Sequence, residues 1–158
     1  MVKAERSRIA MLAGGLALAV LRSARIATGA APAALPEVTV YESPTSGCCS
    51  EWMAHLRRHG FPVKVEDVTE IQPVKARPGV RAELQFCHTA LGGGYVVEGH
   101  VPADLIECLL RERPRVVDLA VPGMPARSPG MEVPGTRAAR YQVRTFDRSG
   151  TTGVFATP

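Results

Sequence analysis

The chain has 158 residues, enough for one compact domain and a leader, and too few for two domains of ordinary size. A formal charge of +4 would ordinarily raise nucleic acid or an anionic membrane as a partner. That excess sits in residues 1–35, where Lys3, Arg6, Arg8, Arg22 and Arg25 outnumber Glu5; from residue 36 onward 14 basic residues face 14 acidic ones, so no nucleic-acid partner is expected.

Residues 1–35 read as a signal peptide and a small-residue linker, and residues 36–158 as the domain. Lys3, Arg6 and Arg8 precede an apolar run from Ile9 to Leu21. That run falls short of the ~20 apolar residues a membrane span needs. The stretch from Ala27 to Pro36 offers small residues for cleavage near Ala30 to Ala34. An uncleaved anchor is the alternative, since Arg22 and Arg25 follow the run, and only then is the membrane a partner. Either reading expects the domain outside the cytoplasm, in the periplasm. No paired arginines support a twin-arginine route.

In chain order, Val38-Thr-Val-Tyr-Glu42 alternates as a strand and runs into a turn-rich loop, Ser43-Pro-Thr-Ser-Gly47. Cys49, Trp52, Met53 and Leu56 follow at the spacing of one apolar helix face, which predicts a helix from about Cys49 to His59 with Gly60 as its stop. Phe61 to Val65 is a second strand, and Glu66 to Pro78 an irregular or weakly helical crossover. Glu83 to Phe86 and Tyr95 to Glu98 are predicted as strands joined by a long loop that carries Cys87, His88 and Leu91-Gly-Gly-Gly94. Pro102 to Arg113 is a helix closed by Pro114. A Pro/Gly-rich loop from Val121 to Gly135 leads to a last strand, Tyr141 to Phe146. This order is that of a single α/β domain of thioredoxin-like type, extended by the C-terminal Pro/Gly-rich loop and an extra strand.

Four cysteines in an exported chain would normally pair as two disulfides. Cys48 and Cys49 are neighbours, however, and a disulfide between them closes a strained ring. A metal that holds them as thiolates resolves the conflict. Soft thiolate and thioether ligands select Cu(I), so copper is the expected ion. Cys49 can equally be a core residue on the Trp52 face. Cys87 and His88 offer a thiol and an imidazole on a loop. Met124 and Met131 stand in two Pro-Gly-Met tripeptides, and each reads equally as a thioether ligand or as packing. His100, just before the second helix, is equally a ligand or else a helix cap or hydrogen-bond bridge. Cys108 reads as core beside Leu105 and Leu109, and His55 with His59 as a solvated face.

These residues lie in Ser46-Gly-Cys-Cys49 followed by Trp52, Cys87-His-Thr-Ala90, Gly94-Tyr-Val-Val-Glu-Gly-His-Val-Pro-Ala103, Ala120-Val-Pro-Gly-Met-Pro125 and Ser128-Pro-Gly-Met-Glu132. Taken in order, the five blocks closely resemble the CopG-like periplasmic copper-resistance family, a domain of unknown function (411), from about residue 38 to the C-terminus. The resemblance implies an exported, thioredoxin-like metal-binding protein. The matching ligand positions are Cys48, Cys49, Cys87, His88, Met124 and Met131, with His100 a further one. Copper ions are then the expected partner, with other periplasmic copper-handling proteins beside them. Two departures stand out. Ser46 replaces the first cysteine of the family's Cys-Gly-Cys-Cys, which removes the nucleophile of a dithiol. Arg81 follows Gly79-Val80 where the family has a proline, expected beside the active loop. Cu(I) sequestration or handling, with no catalytic residue, is therefore the expected function, and thiol-disulfide or copper redox chemistry the alternative.

Overall fold

The computed structural model describes residues 34–44, 47–115, 118–123, 125–132, 134–135 and 140–158. Residues 1–33 of the leader, Ser46 and Met124 lie outside the described residues.

Seven strands form one mixed sheet, flanked by few helices. β1 (Val38–Glu42) leads into α1 (Gly47–Arg58), then β2 (Val63–Asp67) and the short α2 (Gln72–Ala76). A 3₁₀ turn (Ala82–Leu84) precedes β3 (His88–Gly92), and β4 (Tyr95–Glu98) leads into α3 (Ala103–Glu112). β5 (Asp118–Ala120), β6 (Val143–Phe146) and β7 (Thr152–Ala156) complete the chain. The sheet order is β2-β1-β3-β4-β5-β6-β7. β1 with β2 and β4 with β5 are parallel pairs, and the other neighbours are antiparallel.

Successive strand residues face opposite sides of the sheet, and the burial follows that rule. Val97 and Leu119 join a large core with Val38, Val40, Trp52, Leu56, Phe61, Ile106 and Leu109, whereas their neighbours Val96 and Ala120 join a smaller one with Val80, Leu84 and Phe146. α1 forms where the sequence places its apolar face: Cys49, Trp52, Met53 and Leu56 are its buried residues. α3 ends at Arg113, which takes a left-handed conformation (φ 46°) ahead of Pro114. Among the described residues no helix is long and apolar enough to cross a membrane.

Four features differ from expectation. Glu83 to Phe86 is no strand but a 3₁₀ turn and a short connection; the strand starts at His88, so the β3–β4 hairpin is tight, with its turn at Gly93-Gly94. β5 and β7 were not legible as strands. Cys108 is not core: α3 buries Ala103, Ile106 and Leu109, and Cys108 sits on its outer side with Sγ bonded to Glu112 Oε1 at 3.2 Å.

Candidate metal centre

β1, β4 and β5 run in the same direction and β3 runs against them. The C-terminal ends of β1, β4 and β5 therefore meet the N-terminal end of β3 at one end of the sheet. The chain places its soft donors at those ends. Cys48 and Cys49 follow β1, Cys87 and His88 open β3, His100 follows β4, and the loop carrying Met131 follows β5.

Cys48 and Cys49 belong to the first turn of α1 rather than to a preceding loop. The Sγ atoms of Cys48, Cys49 and Cys87 and a ring nitrogen of His100 all lie within 4.8 Å of one another. None of the four cysteines is in a disulfide. His88 borders this group. Its Nδ1 stands 3.3 Å from Cys49 Sγ and 3.4 Å from Cys87 Sγ, and its ring stacks on Trp52 with centroids 4.2 Å apart. Trp52 is itself fixed by a bond from Nε1 to the Val101 carbonyl at 2.9 Å.

His100 is 2% exposed and does not cap α3. Its Nδ1 is 2.8 Å from the Pro129 carbonyl. A carbonyl only accepts, so Nδ1 carries a hydrogen toward it and the ring turns Nε2 to the sulfurs. Nε2 lies 3.6 Å from Cys87 Sγ. A metal-ligating imidazole is commonly oriented in this way. Gly99 makes the turn possible: its φ is +69°, and a Cβ there would stand 2.7 Å from the Val121 carbonyl oxygen. Met131 is half-buried on the Pro129-Gly130 turn, which lies against α1 at Glu51 and Trp52.

Charge is unevenly shared among the thiols. A hydrogen bond from Cys49 is the main cause that holds Cys87 down to about 2, with His100 and His88 adding to it against the effect of burial. The same bond from the other side, followed by burial, pushes Cys49 up. Cys48 is also pushed up, by burial first and then by charge on Cys87. Cys87, outside α1, is thus the thiol held lowest. Three sulfurs and an oriented imidazole fit a soft metal ion.

Residues that the sequence did not single out also face the site. Glu42 is 7% exposed, hydrogen-bonds the Cys49 thiol, and its Oε2 has no partner among the described residues. Its signal was its register, because Val38, Val40 and Glu42 share one face of β1 and that face is buried. His55 does not lie on a simply solvated face. Its Nε2 accepts the Ala103 N–H at 3.1 Å and so caps α3. Arg81 stands away from the expected place beside the active loop: it is half-exposed, paired with Glu83, and reaches the Gly150 carbonyl at 3.3 Å. The residue immediately before β3 is Cys87.

Two solved structures share this architecture. Copper resistance protein CopG, form 2, aligns with a TM-score of 0.73 at 43% identity, over 78% of this chain and 98% of its own. The chain belongs to the CopG-like copper-resistance family. Form 1 aligns at the same identity and coverage with a TM-score of 0.72. The family described as protein of unknown function, DUF411, matches residues 84–131, the segment from the end of the 3₁₀ turn through Met131. No curated protein matches the chain.

Proposed function

We propose that this protein binds copper as Cu(I) in the periplasm and sequesters or hands on the ion in copper resistance. The observation that carries the reading is the convergence of Cys48, Cys49, Cys87 and His100 within 4.8 Å, with His100 turned so that Nε2 faces the sulfurs. Cys48, Cys49, Cys87 and His100 would hold the ion first. His88, Met124 and Met131 complete the proposed donor set, the thioethers favouring Cu(I) over zinc. Trp52 and the buried strand ends keep water from the sulfurs. Half-exposed Cys48 is the point of exchange with other copper-handling proteins.

The remaining assignments belong to the same reading. Residues 1–35 act as a signal peptide and linker, removed to leave the domain of residues 36–158; the membrane is a partner only if cleavage fails. The order β2-β1-β3-β4, with β1 and β2 parallel and β3 reversed, supports a thioredoxin-like core to which β5, β6 and β7 are added. Thiol-disulfide exchange is the second reading, favoured by the lowered pKa of Cys87 beside Cys48 and Cys49.

The test is elemental analysis of protein purified from the periplasm, paired with anaerobic Cu(I) titration against a competing chelator. Bound copper that alkylation of the thiols displaces is the expected result. Protein that carries intact disulfides and takes up no Cu(I) after reduction would end the copper reading. N-terminal sequencing should begin between about Ala31 and Glu37; an intact Met1 in the membrane fraction would identify an anchor instead.

A further inference from the structure

Lys75 and Glu98 form an ion pair whose side chains are 1% and 0% exposed. Two charges removed from water recover their desolvation cost only if the geometry is good and the remaining donors and acceptors are satisfied. Lys75 Nζ donates to Glu98 Oε1 at 2.5 Å, to Thr89 Oγ1 at 3.1 Å and to the His88 carbonyl at 3.3 Å, which uses all three ammonium hydrogens. Glu98 also accepts from the Thr89 hydroxyl at 2.7 Å and from the Phe86 backbone N–H at 2.5 Å. Two of these bonds leave the network for the main chain. One lands a residue before Cys87 and the other a residue after it.

We propose that the buried Lys75–Glu98 pair positions Cys87 for metal binding, an inference that rests on Cys87 being a copper ligand. Phe86 and Cys87 lie between the 3₁₀ turn and the first residue of β3, so neither a helix nor a sheet ladder holds them. A thiol presented from irregular backbone needs some other anchor if it is to meet Cys48, Cys49 and His100. The pair provides one. Its carboxylate takes the N–H on one side of Cys87 and its ammonium takes the C=O on the other. Only a unit with both a strong acceptor and a strong donor can do this at once. Because the pair is neutral as a whole, it grips the backbone without adding net charge beneath Cys87. Lys75 and Glu98 touch none of the proposed donor atoms, so they are positioning residues.

Two double variants of the full-length protein test this. Removing both charges together avoids stranding one of them. Lys75→Met with Glu98→Gln keeps an acceptor for the Phe86 N–H; Lys75→Met with Glu98→Leu keeps neither tie. Both should still unfold cooperatively. Cu(I) affinity, read by chelator competition, should fall about 10-fold in the first and about 100-fold in the second, the range found when groups that orient metal ligands are lost. The thiolate-to-Cu(I) ultraviolet absorption per bound ion should fall in the same order. A purely structural role would lower the melting temperature and leave the affinity and absorption of the folded protein unchanged, and that result would overturn the proposal. If neither variant folds, amide exchange of the wild type decides. The Phe86 amide should exchange as slowly as those of β3, and exchange at the rate of an open loop would refute the clamp. Cys87→Ser separates the two levels. If it weakens copper binding while the double variants do not, only the positioning role fails; if it has no effect, the ligand role of Cys87 fails and the positioning role with it.

Discussion

His100 Nδ1 donates to the Pro129 carbonyl at 2.8 Å, and that one bond joins the end of β4 to the Pro-Gly-Met loop beyond β5. It orients the imidazole and aims Nε2 at Cys87. The position of Pro129 depends in turn on Gly130, whose φ is +83° and whose missing Cβ would stand 2.7 Å from the Trp52 backbone nitrogen.

Gly130→Ala should therefore act on both folding and binding. A non-glycine residue held at positive φ costs about 1–3 kcal/mol, and here the added methyl also meets backbone that cannot rotate away. For a domain of this size the melting temperature should fall by roughly 4–15 °C, at about 4 to 5 °C per kcal/mol. Displacement of the Pro129 carbonyl should also weaken Cu(I) binding about 10-fold. Differential scanning calorimetry and chelator competition give the two readings; an unchanged melting temperature would show that the turn yields.

The cysteines should separate by place. Cys48→Ser and Cys87→Ser should each weaken Cu(I) binding by more than about 100-fold, beyond the usual effect of losing a group that only orients a ligand. Cys108→Ser should leave binding within about 2-fold, since Cys108 lies on the outer side of α3, bonded to Glu112. Anaerobic competition titrations compare the three. Equal losses would mean that folding rather than ligation was being measured.

His55 links pH to stability. Burial, then the charges of His59 and Arg58, hold its pKa below the ordinary value of 6.5, against the opposing pull of Glu132 and Asp104. A lowered folded pKa means that the neutral ring is the stabilising form. Its contribution is complete above 6.5 and is lost as pH falls through the lower folded value. Neutral Nε2 accepts the Ala103 N–H, and protonation removes that acceptor. His55→Ala should cost about 1 kcal/mol near neutral pH, the typical worth of a helix N-cap, and less in acid. Urea midpoints of both proteins at about pH 7.5 and about pH 5, either side of the histidine range, should converge at the lower pH. A difference that stays constant would exclude His55 as the group responsible.

Ser46→Cys recreates Cys-Gly-Cys-Cys, whose last three residues open α1. The added thiol should raise the number of copper ions bound or confer disulfide reductase activity, with little change in stability. Elemental analysis and a metal-free insulin reduction assay, each run beside the wild type, measure the two outcomes. No change in either would show that residue 46 does not face the donor group.

The sequence by itself determined the features that local pattern and residue chemistry carry. The alternation of Val38 to Glu42, the apolar spacing of α1 and the Pro-bounded α3 mark their elements because helices and strands bury faces of fixed period. Adjacent Cys48 and Cys49, with Cys87-His88 and His100, were legible as soft donors because residue type alone carries that preference. Tertiary structure decided which donors meet, since only the strand directions bring the ends of β1, β4 and β5 to the start of β3. β5 and β7 escaped sequence reading for the same reason: a three-residue Asp118–Ala120 or a Gly153-containing Thr152–Ala156 is a strand by virtue of its pairing partners. The lowered pKa of Cys87, the burial of Glu42 and the Lys75–Glu98 pair depend on contacts between residues far apart in the chain. A charge is stable in the interior only when the fold brings it a partner, and no local pattern records that partner.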